Sequence, residues 1–113
     1  MMFVVVFEVQ PKPGRERDYL DLAASLKPAL EEIDGFISVE RFRSVAAPEK
    51  LVSISFWRDE AAVKRWREHN RHHLAQLSGR TQIFADYRIS VAEIERQYGM
   101  FERAQAPQQM PEV

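Results

Sequence analysis

Trp66, His69, His72 and His73 crowd into one short stretch of the chain, and Tyr87 follows on a later segment. These are side chains with chemistry to offer. Imidazole titrates near neutrality, so it can donate a hydrogen bond, take a proton or bind iron, while an indole face can stack on a flat ligand. A phenol and an imidazole acting together can polarise or deprotonate a hydroxylated aromatic. The resulting electron-rich anion can react with oxygen without a metal. Such a reaction asks little of a protein beyond binding, deprotonation and exclusion of water.

The histidines also have structural uses. His69 and His73 stand four residues apart, a spacing that lets two imidazoles meet one metal, but no His-Glu-x-x-His motif accompanies them and no carboxylate partner is evident. No metal site is expected. Lys64, Arg65, Arg67 and Arg71 alternate with Glu60 and Glu68, which makes a solvated helix face rather than a nucleic-acid surface. The chain has no Gly-rich phosphate loop, nucleophile elbow or Cys-His pair, so neither nucleotide cofactors nor covalent acyl chemistry find their usual support.

The elements that must position these residues are legible from periodicity. Phe3 to Val9 is rich in Val and Phe and runs into Pro11, Pro13 and Gly14, which predicts a strand closed by a turn. From Arg15 the apolar residues Tyr19, Leu22, Ala23, Leu26, Leu30 and Ile33 stack on one face of a helix that Gly35 stops. Pro28 lies inside that pattern and predicts a kink or short break near Ser25 to Lys27. Phe36 to Arg43 and Leu51 to Trp57 read as a hairpin joined through Ala46-Ala47-Pro48-Glu49. In its second arm Val52, Ile54 and Phe56 make one face fully apolar, and Ser53 and Ser55 put small hydroxyls on the other. Asp59 can cap a second helix running to about Leu77, before Gly79. Gln82 to about Ile94 reads as a last strand, although Ala92 to Arg96 could equally be helical.

The order strand, helix, strand, strand, helix, strand predicts an α+β, ferredoxin-like βαββαβ domain with an antiparallel sheet, spanning 1–98, followed by a mobile tail at 99–113. Both helices then cover one sheet face. A sheet apolar on both sides needs a second cover, most simply the same sheet of another subunit, so a homodimer is expected.

Taking about 100° per residue on the second helix, Ala62, Val63, Leu74 and Leu77 fall within roughly 80° of Trp66, with His73 inside that stripe. His69 and Gln76 lie on one flank, and His72 is further round toward solvent. That flank could border a cleft between helix and sheet. Trp66 at a buried helical position serves equally well as filler of the core. Tyr87 and Arg88 point to opposite faces of the last strand, and Tyr87 is the better pocket candidate.

Composition bounds the partners. The 113 residues suit one domain, 45% hydrophobic and 29% charged, with 16 basic and 17 acidic side chains and a formal charge of −1. No overall field attracts nucleic acid or an anionic membrane, so small uncharged partners are the natural expectation. The absence of cysteine removes disulfides, thiolate nucleophiles and soft metal sites. The apolar run Met1 to Phe7 is too short to span a membrane and lacks the flanks of a leader, which suggests a cytoplasmic protein.

Three pieces, Asp34-Gly35-Phe36, Ser55-Phe56-Trp57-Arg58-Asp59-Glu60-Ala61 and Trp66, together resemble the antibiotic biosynthesis monooxygenase family. The resemblance runs from about Met2 to Tyr98, and Ala75-Gln76, Gly79 and Tyr87-Arg88 resemble a large uncharacterised branch of it. It implies a dimeric α/β barrel. It also implies an oxidoreductase, since members include oxygenases of polycyclic aromatics that use neither metal nor flavin, haem-degrading monooxygenases, and proteins with no established reaction. The haem-degrading members carry an Asn on the first strand, a Trp on the second helix and a His ten residues beyond it. Here Trp66 matches, Phe7 stands at the Asn position and Gln76 at the His position.

The combined reading is a small-molecule monooxygenase acting on a planar aromatic or quinone-like compound with no cofactor. Its candidate catalytic residues are His69, His73 and Tyr87, and its candidate binding residues are Trp66, Phe7, Gln76 and His72. Haem binding through the neighbouring histidines is the first alternative, and a dimer that holds a small ligand without transforming it is the second.

Overall fold

The computed structural model describes the backbone of residues 1–77 and 83–107, and the side chains of residues 1–70 and 83–107. The elements follow in the order β1 (Phe3–Pro11), α1 (Glu16–Glu31), β2 (Phe36–Arg43), β3 (Leu51–Trp57), α2 (Glu60–Leu77) and β4 (Phe84–Glu93). The strands form one antiparallel sheet in the order β2-β3-β1-β4. This is the split βαβ arrangement of ferredoxin-like domains.

Strand register decides what each sheet face presents. Arg41, Ser53, Phe7 and Ile89 stand side by side across the four strands, with Val39, Ser55, Val5 and Val91 in the neighbouring row. These rows face the helices, because Ser53, Ser55, Leu51 and Trp57 of β3 are buried in strict alternation with the half-exposed Val52, Ile54 and Phe56. The hydroxyl-bearing face of β3 is thus the covered one. The fully apolar face is the open one.

Two apolar clusters sit between sheet and helices. Val9, Tyr19, Leu51 and Ile83 form one, and Leu30, Trp57, Ala62 and Val63 the other. Trp57 is wholly buried, and its indole N–H donates to the Ser55 hydroxyl at 2.9 Å. That bond satisfies the only polar atom of the ring, so the large side chain is buried at little polar cost.

Two features depart from the sequence reading, and a third settles an alternative it left open. β1 continues through Val9 to Pro11, whose missing N–H is tolerated where the register with β4 shifts between Gln10 and Pro11. α1 runs unbroken through Pro28. Pro28 and Ala24 are both exposed, so water can take the carbonyl that the proline leaves without a donor. β4 stays extended to Glu93, which removes the helical alternative for Ala92 to Arg96; the Ile94 N–H donates to the Met2 carbonyl at 2.9 Å and continues the contact with β1. Beyond β4, the Gln97 N–H donates to the Gln105 side chain, and the Arg103 guanidinium lies 5.6 Å from the centre of the Tyr98 ring. Among the described residues no helix is long and apolar enough to cross a membrane.

Candidate functional site

Between the helix-facing rows and the two helices lies a cavity of about 320 Å³. Val5, Phe7, Val39, Ile89 and Val91 form its floor, Leu22, Ala23 and Leu26 of α1 one wall, and Val63 and Trp66 of α2 another. Its size is at the small end of ligand pockets, and its mostly apolar lining with a few polar groups is the usual makeup of one. A smaller depression of about 230 Å³ near Glu8, Lys50, Asp86 and Arg88 is charged, and the Lys50–Glu8 ion pair at 2.7 Å bridges across it.

Two aromatic groups shape the main cavity. Phe7, Tyr19, Phe84 and Tyr87 form a box with ring centres 5.8 to 6.3 Å apart. On the other side, Phe36 meets Trp57 edge-on at 5.4 Å, Trp57 stacks on Trp66 at 6.5 Å, and Trp66 stacks on His69 at 5.5 Å. The column runs from the buried Trp57 outward. It fixes the Trp66 ring as a rigid wall rather than a loose flap.

The position of α2, and hence of Trp66, is set by a brace at its start. The Asp59 carboxylate accepts from the Ala62 N–H at 2.9 Å, an N-terminal cap. Arg58 forms a two-pronged pair with Asp34, both contacts at 3.1 Å, and its backbone N–H donates to the Gly35 carbonyl at 2.7 Å. Arg65 adds a bond to the Asp34 carbonyl at 2.9 Å. Hydrogen bonding from the Arg58 guanidinium holds the Asp34 carboxyl below its ordinary value. The Ala62 N–H, and then Arg58, do the same for Asp59. The motif residues Asp34-Gly35-Phe36 and Trp57-Arg58-Asp59 therefore orient the helix, and none of the six lines the cavity.

Of the residues singled out from sequence, Trp66, Phe7 and Tyr87 meet at the cavity. His69 does not line it: this residue is exposed, and its ring caps the outer face of Trp66. The side chains of His72, His73 and Gln76 lie outside the described residues. Among the described residues no group of three or more His, Asp or Glu side chains is placed to hold a metal ion.

On α2 the described lining residues are Val63, Trp66, Arg67 and Asn70, the flank opposite to the one that carries Ala62 and His69. Sequence reasoning missed Asn70 and, on β2, Arg41. The signals were present. Asn70 stands one turn beyond Trp66, and Arg41 shares the strand face of Val39 rather than that of Glu40.

An antiparallel βαββαβ sheet with a small apolar chamber under two helices defines a ferredoxin-like α+β domain. Within that class the chain belongs to the antibiotic biosynthesis monooxygenase family, whose model matches residues 2–76. A jasmonate monooxygenase of Pyricularia oryzae is 44% identical over 93 residues, which cover 82% of this chain and 43% of that protein. The chain thus spans less than half the length of that relative. The uncharacterised protein YqjZ of Bacillus subtilis is 27% identical over 95 residues, 84% of this chain and 81% of its own. The fold is shared with Rv0793 from Mycobacterium tuberculosis at a TM-score of 0.74 and 16% identity, over 88% of this chain and 100% of that one. It is also shared with SnoaB, a cofactor-independent oxygenase from Streptomyces nogalater, at a TM-score of 0.70 and 14% identity, over 85% and 95%.

Proposed function

We propose that the chain is a monooxygenase that works as a homodimer and oxidises a small, flat, largely apolar organic compound in the cavity beside Trp66, with neither metal nor flavin. The observation that carries this reading is the cavity itself, with a fixed indole on one side and an aromatic box on the other. Family membership and the relation to a jasmonate monooxygenase support the reaction type. Neither extends to the substrate.

The part that these residues play follows from their chemistry. Trp66, held between Trp57 and His69, and the Phe7–Tyr87 box enclose a planar body and keep bulk water from it, so a bound phenol or enol is partly desolvated. Tyr87, which joins the box, is the phenol that would donate a hydrogen bond to an oxygen of that compound. The substrate passes a proton to water at the mouth of the cavity, and the carbanion-like anion that remains gives electrons to oxygen and regains a proton as the product water forms. In the simplest outcome an activated CH2 becomes C=O, one oxygen atom enters the product, and the other leaves as water with the two hydrogens lost. The substrate itself supplies the electrons.

The test is oxygen uptake by metal-chelated, flavin-free protein with a panel of hydroquinones, anthrones and jasmonate. Turnover of at least one compound is expected. Trp66→Ala is expected to lower kcat/KM at least tenfold, the loss expected when an aromatic contact of about 1.4 kcal/mol is removed from the cavity wall. Background uptake across the panel, together with no effect of Trp66→Ala on ligand binding, would overturn the proposal.

A further inference from the structure

The cavity is apolar, but its charge is one-sided. Arg41 and Arg67 line it, and among the described residues no Asp or Glu does. The Arg41 side chain makes no hydrogen bond or ion pair among the described residues, and its Nε is fully buried without an acceptor. Its strand neighbour on the same face shows the contrast: Arg43 grips Glu16 with two contacts at 2.9 and 2.8 Å. Arg41 has no such counterpart. On the opposite wall the Asn70 side-chain oxygen is likewise buried and unpartnered.

Leaving a guanidinium N–H and an amide oxygen buried and unpaired is costly, and such groups in a native fold call for an explanation. Both line one cavity, and the Ser53 hydroxyl lies beside Arg41 in the same row. We infer that the cavity is built for an organic acid: an anionic oxygen of the ligand accepts from Arg41, Asn70 takes up a neighbouring polar group, and the apolar body lies against Trp66 and the Phe7–Tyr87 box. A guanidinium offers donors in a planar fork that suits a carboxylate. Arg41 is thus the residue that selects acids over their neutral counterparts, a discrimination that an apolar pocket alone supplies poorly. This assignment rests on the cavity being the substrate site.

The test compares matched pairs by calorimetric titration of the full chain: 2-naphthylacetate, anthracene-2-carboxylate and jasmonate, each with its methyl ester. Acids are expected to bind more tightly than their esters by about ten- to a hundredfold, the value of a charge-assisted hydrogen bond. Arg41→Met should erase that preference by weakening the acids alone, while Arg41→Lys should keep part of it. Retained ester binding in Arg41→Met shows that the pocket has not collapsed, which a purely structural role for Arg41 would not give. Asn70→Leu should weaken acids and esters alike. Equal binding of acids and esters to the wild type overturns the assignment of Arg41 and leaves the pocket reading intact. So does a preference for acids that survives in Arg41→Met. Binding of neither member of any pair overturns both.

Discussion

At the scale of single residues, Gly35 carries more than the end of α1. Its φ is +95°, a region that side chains rarely occupy, and a Cβ there would stand 2.6 Å from the Cβ of the fully buried Ala62. Gly35→Ala should therefore cost about 2–4 kcal/mol, combining backbone strain with overpacking. The measurement is a urea unfolding curve, and a loss well below 1 kcal/mol would mean that α2 gives way freely. The helix stop at Gly35 was legible from its type and position. Its second task was not, because close approach to Ala62 exists only once α2 has docked on the β2 end of α1. The same limit explains the candidate site. Trp66 and Tyr87 were legible because aromatic side chains announce themselves, and Phe7 was reached through the family resemblance. Arg41 and Asn70 looked like ordinary polar residues, and only the structure shows that each turns a buried, unpartnered polar atom into the cavity region.

At the scale of elements, α2 hangs on an electrostatic clasp, and that makes its docking sensitive to acid. Asp34 and Asp59 have folded-state pKa values held below their ordinary 3.8 by Arg58 and by the Ala62 N–H. A carboxyl depressed in the folded state contributes stability above its unfolded pKa and loses it as pH falls through the lowered folded value. Stability should hold through neutral and mildly acidic pH and then decline below about pH 4. Asp59→Ala should lower the urea midpoint at pH 7, and the gap from wild type should narrow as the pH falls toward 2. Tryptophan fluorescence reads both, since Trp57 and Trp66 lie beside the clasp. A gap that stays constant down to that pH would assign the effect of Asp59 to something other than its charge. Element order was legible because each strand and helix shows its own period, and Phe36–Arg43 and Leu51–Trp57 agree at both ends. The ends of β1 and β4 were less so, since pairing between those two strands carries the ladder past Val9 and through Ala92.

At the scale of the whole molecule, the sheet surface turned away from the helices decides how the chain exists in solution. Val4 and Val6 of β1 and Val52, Ile54 and Phe56 of β3 form a continuous, half-exposed apolar field, with Phe42 of β2 beside it at 46% exposure. A patch of that kind on a monomer is an interaction surface, and the alternation along β3 places it opposite the cavity rather than over it. A second copy meeting it face to face is self-complementary under a twofold axis. Sedimentation equilibrium should give twice the chain mass at micromolar concentration. Ile54→Glu, which sets a new carboxylate opposite Glu40 in the middle of the field, should give a single chain. Because the cavity is lined on the other face, that variant should still bind acids with a preference set by Arg41, even as its unfolding midpoint drops. A wild type that sediments as one chain would mean that this face meets a different partner. An Ile54→Glu variant that is monomeric and folded yet no longer binds would mean that the cavity takes its shape from the dimer and not from the protomer.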